Sequence, residues 1–234
     1  MHLVCVHGAG SSGLSYYYEA QHFSDCDAVD LPGHPVGKVC TSIEEYTQWL
    51  RGYIWGKGYE DVVLMGHSMG GGIVQTYALN YPDELKGIIL SGTGARLRVH
   101  PDYLKEELEA TKDAEKYQIW LANAETALSQ VEPGLRELMK EKTASVGPAV
   151  EYNDMSACDR FDIMDRVQEI SLPTLIIVGS EDIMTPVKYA DYLHAKIPNS
   201  RKVVFDGATH ALNTEQPEKV IPVIEEFLGT IFGN

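Results

Sequence analysis

The 234-residue chain carries 19 Lys and Arg against 34 Asp and Glu, a formal net charge of −15, and is 44% hydrophobic. Phosphate binding needs concentrated Lys and Arg, so this balance excludes nucleic acid as an expected partner and opposes docking to an anionic membrane. No stretch approaches the roughly 20 apolar residues of a membrane span, and Met1-His2-Leu3-Val4-Cys5-Val6 lacks the basic region of a signal peptide, so the expected setting is cytoplasmic.

Apolar runs of strand length recur in chain order at Leu3–His7, Ala28–Leu31, Asp61–Met65, Gly87–Ser91, Thr174–Gly179 and Lys202–Phe205. Most are continuously apolar rather than alternating, as in a parallel sheet covered on both faces. Helical patterns lie between them. Ser42–Lys57 places Ile43, Tyr46, Trp49, Leu50 and Tyr53 at three- and four-residue spacings behind a Ser and Glu capping signal. Gly72–Asn80, Val187–Lys196 and Pro217–Phe232 complete an alternation that predicts a doubly wound α/β domain with a mostly parallel sheet of about six strands.

One region breaks the alternation. Tyr103–Lys112, Glu115–Ala127, Gly134–Thr143 and Phe161–Val167 all read as helical. Residues 96–170 are therefore expected to form a helical cap inserted after the fourth strand, between core segments 1–95 and 171–234. Trp120, Leu121, Leu138, Met139, Tyr152 and Met155 in the cap, with Met184 from the core, are the candidate walls of a substrate pocket.

Parallel strands present all their carboxyl ends on one edge, where ligands bind. The segments just past the strands therefore hold the candidate chemistry. Val62–Met65 runs into Gly66-His67-Ser68-Met69-Gly70, a strand turning sharply into a helix with a serine at the apex. The Gly-rich turn His7-Gly8-Ala9-Gly10 leaves backbone amides free, and those of Ala9 and Met69 are the candidate oxyanion donors. After the fifth strand, Asp182 is the expected orienting carboxylate and Glu181 its rival; Ser91-Gly92-Thr93-Gly94-Ala95 after the fourth offers none. Past the sixth strand, His210 follows Gly207-Ala208-Thr209 and is the candidate base. His7 is expected to shape the oxyanion turn, His67 to point away from Ser68, and His34, His100 and His194 to lie at the surface. The histidines lack HExxH-like spacing and the four scattered cysteines form no CxxC pair, so neither a metal site nor a cofactor is expected.

The order Ser68, Asp182, His210, together with His7-Gly8, Asp30-Leu31-Pro32-Gly33-His34 and Gly66-His67-Ser68-Met69-Gly70-Gly71, resembles the α/β-hydrolase superfamily over nearly the whole chain. Within it the chain is most similar to small, capped carboxylesterase and lipase-like members. The resemblance implies a nucleophile at Ser68, a general base at His210, an orienting acid at Asp182, and a small-molecule acyl ester as substrate. A thioesterase, lactonase, carbon–carbon-bond hydrolase or lyase would use the same triad, and so would perhydrolase or haloperoxidase-like side chemistry. A non-catalytic small-molecule receptor is the alternative of a different class. Two departures stand out. The strand hairpin that precedes the His-Gly strand in relatives is missing, which leaves room for a homodimer through a bare edge or for a shielding helix. Pro35-Val36-Gly37-Lys38 stands where relatives often have Gly-x-Ser.

Overall fold

The computed structural model describes residues 1–233. Six strands, β1 (His2–Val6), β2 (Cys26–Val29), β3 (Val62–His67), β4 (Leu85–Ser91), β5 (Thr174–Gly179) and β6 (Ser200–Phe205), form one sheet in the order β2-β1-β3-β4-β5-β6. Every pairing is parallel, with Val4 opposite Leu64 and Asp27, Leu64 opposite Ile88, and Ile176 opposite Lys202.

The apolar strand runs are buried on both faces, and the two-residue period sorts them. Val4, Val6, Leu64 and Ile176 pack in one core with residues of helices α2 (Ile43–Lys57), α3 (Met69–Asn80) and α8 (Val187–Lys196). Leu3, Cys5, Val63 and Met65 face the other core with Val220, Ile224 and Phe227 of α10 (Pro217–Phe232). At the start of α2, Ser42 Oγ accepts from the Glu45 amide at 3.2 Å while Glu45 Oε2 accepts from the Thr41 amide at 2.7 Å. This reciprocal cap satisfies donors that a helix terminus otherwise leaves open. Short α1 (Tyr17–His22) and α9 (Leu212–Glu215) follow β1 and precede α10.

Between β4 and β5 stand four helices: α4 (Pro101–Ala110), α5 (Ala114–Ala127), α6 (Pro133–Val146) and α7 (Pro148–Arg160). Pro148 occupies the first turn of α7, a position where its missing N–H costs nothing. One expectation needs correction. Phe161–Val167 is not a helix: Asp162 forms a bridge to Arg96, and the Ile163 amide donates to the Ala95 carbonyl at 2.8 Å. Those contacts tie the end of the insertion to its beginning. Among the described residues no helix is long and apolar enough to cross a membrane.

Candidate active site

Ser68 is held between β3 and α3 at φ 54° and ψ −117°, a conformation that L residues avoid and that costs about 1–3 kcal/mol. The surroundings over-determine it. Its amide donates to the Ser91 carbonyl at 3.0 Å, and its carbonyl accepts from the Gly71 amide at 2.9 Å and Thr93 Oγ1 at 2.8 Å. The turn closes this tightly only with glycine on both sides. A Cβ on Gly66 would sit 2.3 Å from the Gly70 carbonyl oxygen, and one on Gly70 would sit 2.0 Å from that of Val6.

Asp182, buried just past β5, uses both carboxylate oxygens. Oδ1 accepts from the amides of Met184 at 2.9 Å and Thr185 at 2.8 Å; Oδ2 accepts from Thr185 Oγ1 at 2.9 Å and His210 Nδ1 at 2.8 Å. Burial works against its charge, but the hydrogen bond and charge of His210 and the two Thr185 donors win, and its pKa falls below the ordinary value. A proton on His210 Nδ1 leaves Nε2 with a free lone pair. Glu181, the rival acid, is exposed.

His67, next to Ser68, has a positive role in the geometry. Its Nε2–H donates to the His210 carbonyl at 2.8 Å, and the two rings lie 4.5 Å apart. Burial, then the proximity of His210, lowers its pKa to about 3, so it is a neutral strut for the His210 loop.

The turn after β1 is braced in the same way. His7 is fully buried; Nε2 accepts from the Leu31 amide at 3.0 Å and Nδ1–H donates to the Gly8 carbonyl at 2.8 Å. Burial and the neighbouring His34 lower its pKa to about 4. Gly8 lies against Ser68, since a Cβ there would be 3.1 Å from the serine Cβ. The amide of Gly10 donates to Asp154 Oδ2 at 3.0 Å, and that carboxylate also takes His34 Nε2 at 2.8 Å and the Tyr46 hydroxyl at 2.6 Å. His34 is therefore not a surface residue: it is 1% exposed, because Asp154 from α7 and the Leu31 carbonyl give its ring polar partners inside. Sequence reading missed Asp154, whose partner is 120 residues away.

A cavity of about 420 Å³ opens between the sheet edge and the insertion. Ser68, His210, Gly8 and Ala9 border it from the core; Trp120, Met139 and Met155 border it from the insertion, with Met184 beside them. Ala9 and Met69 follow the two turns that meet at Ser68, and Met69 opens α3, where the first amides have no helical acceptor. Leu121 and Tyr152, expected in the wall, do not line the cavity, and Leu138 is half-exposed. Helical phase explains this. On α5 the wall residues are Lys116, Ile119, Trp120, Asn123, Ala124 and Ala127, and on α7 they are Glu151 and Met155. Steps of three and four keep these on one helix face, and Leu121 and Tyr152 fall off its edge. The wall also contains Glu107 and Glu151, which the sequence analysis does not single out.

The model of the α/β-hydrolase fold family matches residues 1–217. The proline iminopeptidase of Saccharolobus solfataricus is 27% identical over 88% of this chain and 72% of its own length. The pimeloyl-[acyl-carrier protein] methyl ester esterase of Aeromonas hydrophila is 25% identical, covering 97% of this chain and 95% of its own. The solved structure of a thermophilic esterase superposes with a TM-score of 0.83 at 30% identity, over 98% of this chain and 90% of that one. The strained serine turn, the six-stranded parallel sheet and a family match over nearly the full length agree, and the chain belongs to the α/β-hydrolase fold family.

Proposed function

We propose that the protein is a serine hydrolase of small to medium acyl esters, working through an acyl-enzyme on Ser68. The observation that carries this reading is the 2.8 Å hydrogen bond between buried Asp182 and His210 Nδ1, with His210 and Ser68 bordering one cavity. In this reading His210 Nε2 takes the Ser68 proton as Oγ attacks the ester carbonyl carbon. The amides of Ala9 and Met69 hold the developing oxyanion. The tetrahedral intermediate collapses, the alkoxide leaves with the proton from His210, and the acyl group remains on Ser68. Water then attacks, giving its proton to His210, and the carboxylic acid departs as Ser68 recovers its proton. Asp182 stabilises the imidazolium in both halves. No cofactor enters these steps.

The helices α4–α7 act as the cap that closes the acyl pocket, with Trp120, Met139, Met155 and Met184 as its apolar walls. The cavity volume of about 420 Å³ supports short to medium chains. The similarity to esterases supports an ester over a thioester, lactone or carbon–carbon bond. A cytoplasmic setting belongs to the same proposal and is supported by four cysteines that are all free thiols.

The test combines a fluorophosphonate probe with p-nitrophenyl acetate, butyrate and octanoate. Covalent labelling confined to Ser68, with turnover that peaks at short to medium chains, is the expected result. Labelling without turnover of any ester would overturn the esterase reading. No labelling would move the protein to the receptor class.

A further inference from the structure

The cavity wall holds two carboxyl groups that the proposed chemistry does not use. Glu107 of α4 is 5% exposed, borders the cavity, and its Oε2 has no hydrogen-bond partner among the described residues. Glu151 of α7 also borders the cavity, and its Oε2 accepts from Trp120 Nε1 at 2.8 Å. Glu151 lies close to the turn after β1. A Cβ on Gly10, in the turn that carries Ala9, would lie 2.8 Å from the Glu151 Cγ and Cδ atoms. Gly10 has φ +61° and no side chain, which is what allows the Glu151 side chain to lie against this turn.

Two carboxyls bordering one space without a cation are costly to keep, and so is a buried oxygen without a hydrogen-bond partner. Lys116 also borders the cavity, but its ammonium pairs with Glu109 at 3.7 Å. We propose that Glu107 and Glu151 form a subsite for an ammonium group, so that the preferred substrates are small esters bearing a primary or secondary amine. This inference rests on the esterase reading for the reaction and on the carboxyl pair for the specificity. An ammonium entering the pocket would pair with the carboxyl groups of Glu107 and Glu151 that border it and neutralise them. Burial, then the charge of Glu151, pushes Glu107 up to about 8, and burial pushes Glu151 up to about 7. These surroundings favour the protonated acids, and a cation supplies the counter-charge for ionising them. The net charge of −15 draws cations toward the molecule as a whole.

The test compares isosteric pairs at neutral pH. Phenyl esters of glycine, β-alanine and 6-aminohexanoate are set against those of propionate, butyrate and heptanoate. 6-Aminohexyl butyrate set against heptyl butyrate probes the alcohol half. The cationic member of at least one pair is expected to show a kcat/KM about tenfold higher or more. In Glu107→Gln and in Glu151→Gln that ratio is expected to fall about fivefold or more, and in the double variant to approach unity. A ratio of one or less for every pair in the unaltered enzyme overturns the inference, and so does a ratio that survives both substitutions. Calorimetric titration of the unaltered protein with n-butylammonium and with 1-butanol keeps the subsite separate from the reaction. Glu107-dependent binding of the ammonium alone supports the subsite even if no ester is turned over, an outcome that would sink the esterase reading by itself. Equal or absent binding of both counts against the subsite.

Discussion

Asp182, buried behind His210 at the sheet edge, and the acids of the helical insertion that border the cavity behave in opposite ways. Asp182 accepts four hydrogen bonds and has its pKa lowered despite burial. Glu107 and Glu151 have one acceptor oxygen engaged between them, by Trp120, and their pKa values rise to about 8 and about 7. Burial pushes all three the same way; the supply of donors decides the sign. The core fixes a permanent anion that orients His210. The insertion leaves acceptors open, and open acceptors in a cavity wall are where substrate specificity can reside.

The largest effects should come from breaking the core side. Ser68→Ala and His210→Ala are each expected to lower kcat on p-nitrophenyl butyrate by about 10⁴-fold or more with circular dichroism unchanged, while Asp182→Asn costs about 10²- to 10⁴-fold. A nearly neutral Asp182→Asn would reassign the acid.

Asp154 is a point where the two regions touch, and its removal tests whether the insertion braces the core. Asp154→Ala leaves the Gly10 amide, the Tyr46 hydroxyl and the His34 ring without their common acceptor. A stability loss of about 3–5 kcal/mol by urea unfolding is expected. In Asp154→Asn, which keeps one acceptor oxygen, kcat should fall about tenfold with KM little changed, because the turn bearing Ala9 loosens. An intact kcat would show that the oxyanion turn stands without the insertion.

The open acids of the insertion, together with buried Glu19 at about 7, give a smaller effect that reads on pH. Their native values lie above the ordinary 4.5, so between that pH and about 8 the native state binds more protons than the unfolded chain. Stability therefore declines as pH rises through this window. Glu107→Gln removes one such group, so its Tm relative to the unaltered protein should be higher at pH 8 than at pH 5. Equal differences at both values would count against a raised Glu107. The smallest expected effect sharpens the pocket boundary. Trp120→Ala should shift the preferred acyl length upward, while Leu121→Ala, one residue away and off the wall, should change kcat/KM by less than about twofold on any chain length.

Much of the core was legible in the sequence because its signals are local. Continuous apolar runs give the strands, and Val187–Lys196 and Pro217–Phe232 match their helices residue for residue. The Gly66-His67-Ser68-Met69-Gly70 turn is readable because only glycines permit the close approaches seen there. The insertion was less legible. Its four helices were foreseen in number, yet the last was misplaced to Phe161–Val167, since Gly147-Pro148 reads equally as a break or as the start of a helix. Leu121 and Tyr152 have pocket-like side chains but lie off the wall, because helix phase sets which residues line it.

What the sequence determined by itself is the sheet, the serine turn and the order of Ser68, Asp182 and His210, because strand patterning and backbone sterics act over a few residues. Only the tertiary structure decided that His34 is buried on Asp154, that His67 holds the His210 loop, and that Glu107 and Glu151 face a cavity rather than water. Each of these depends on which distant group supplies, or withholds, a hydrogen bond in a place without solvent. No short-range pattern encodes that supply.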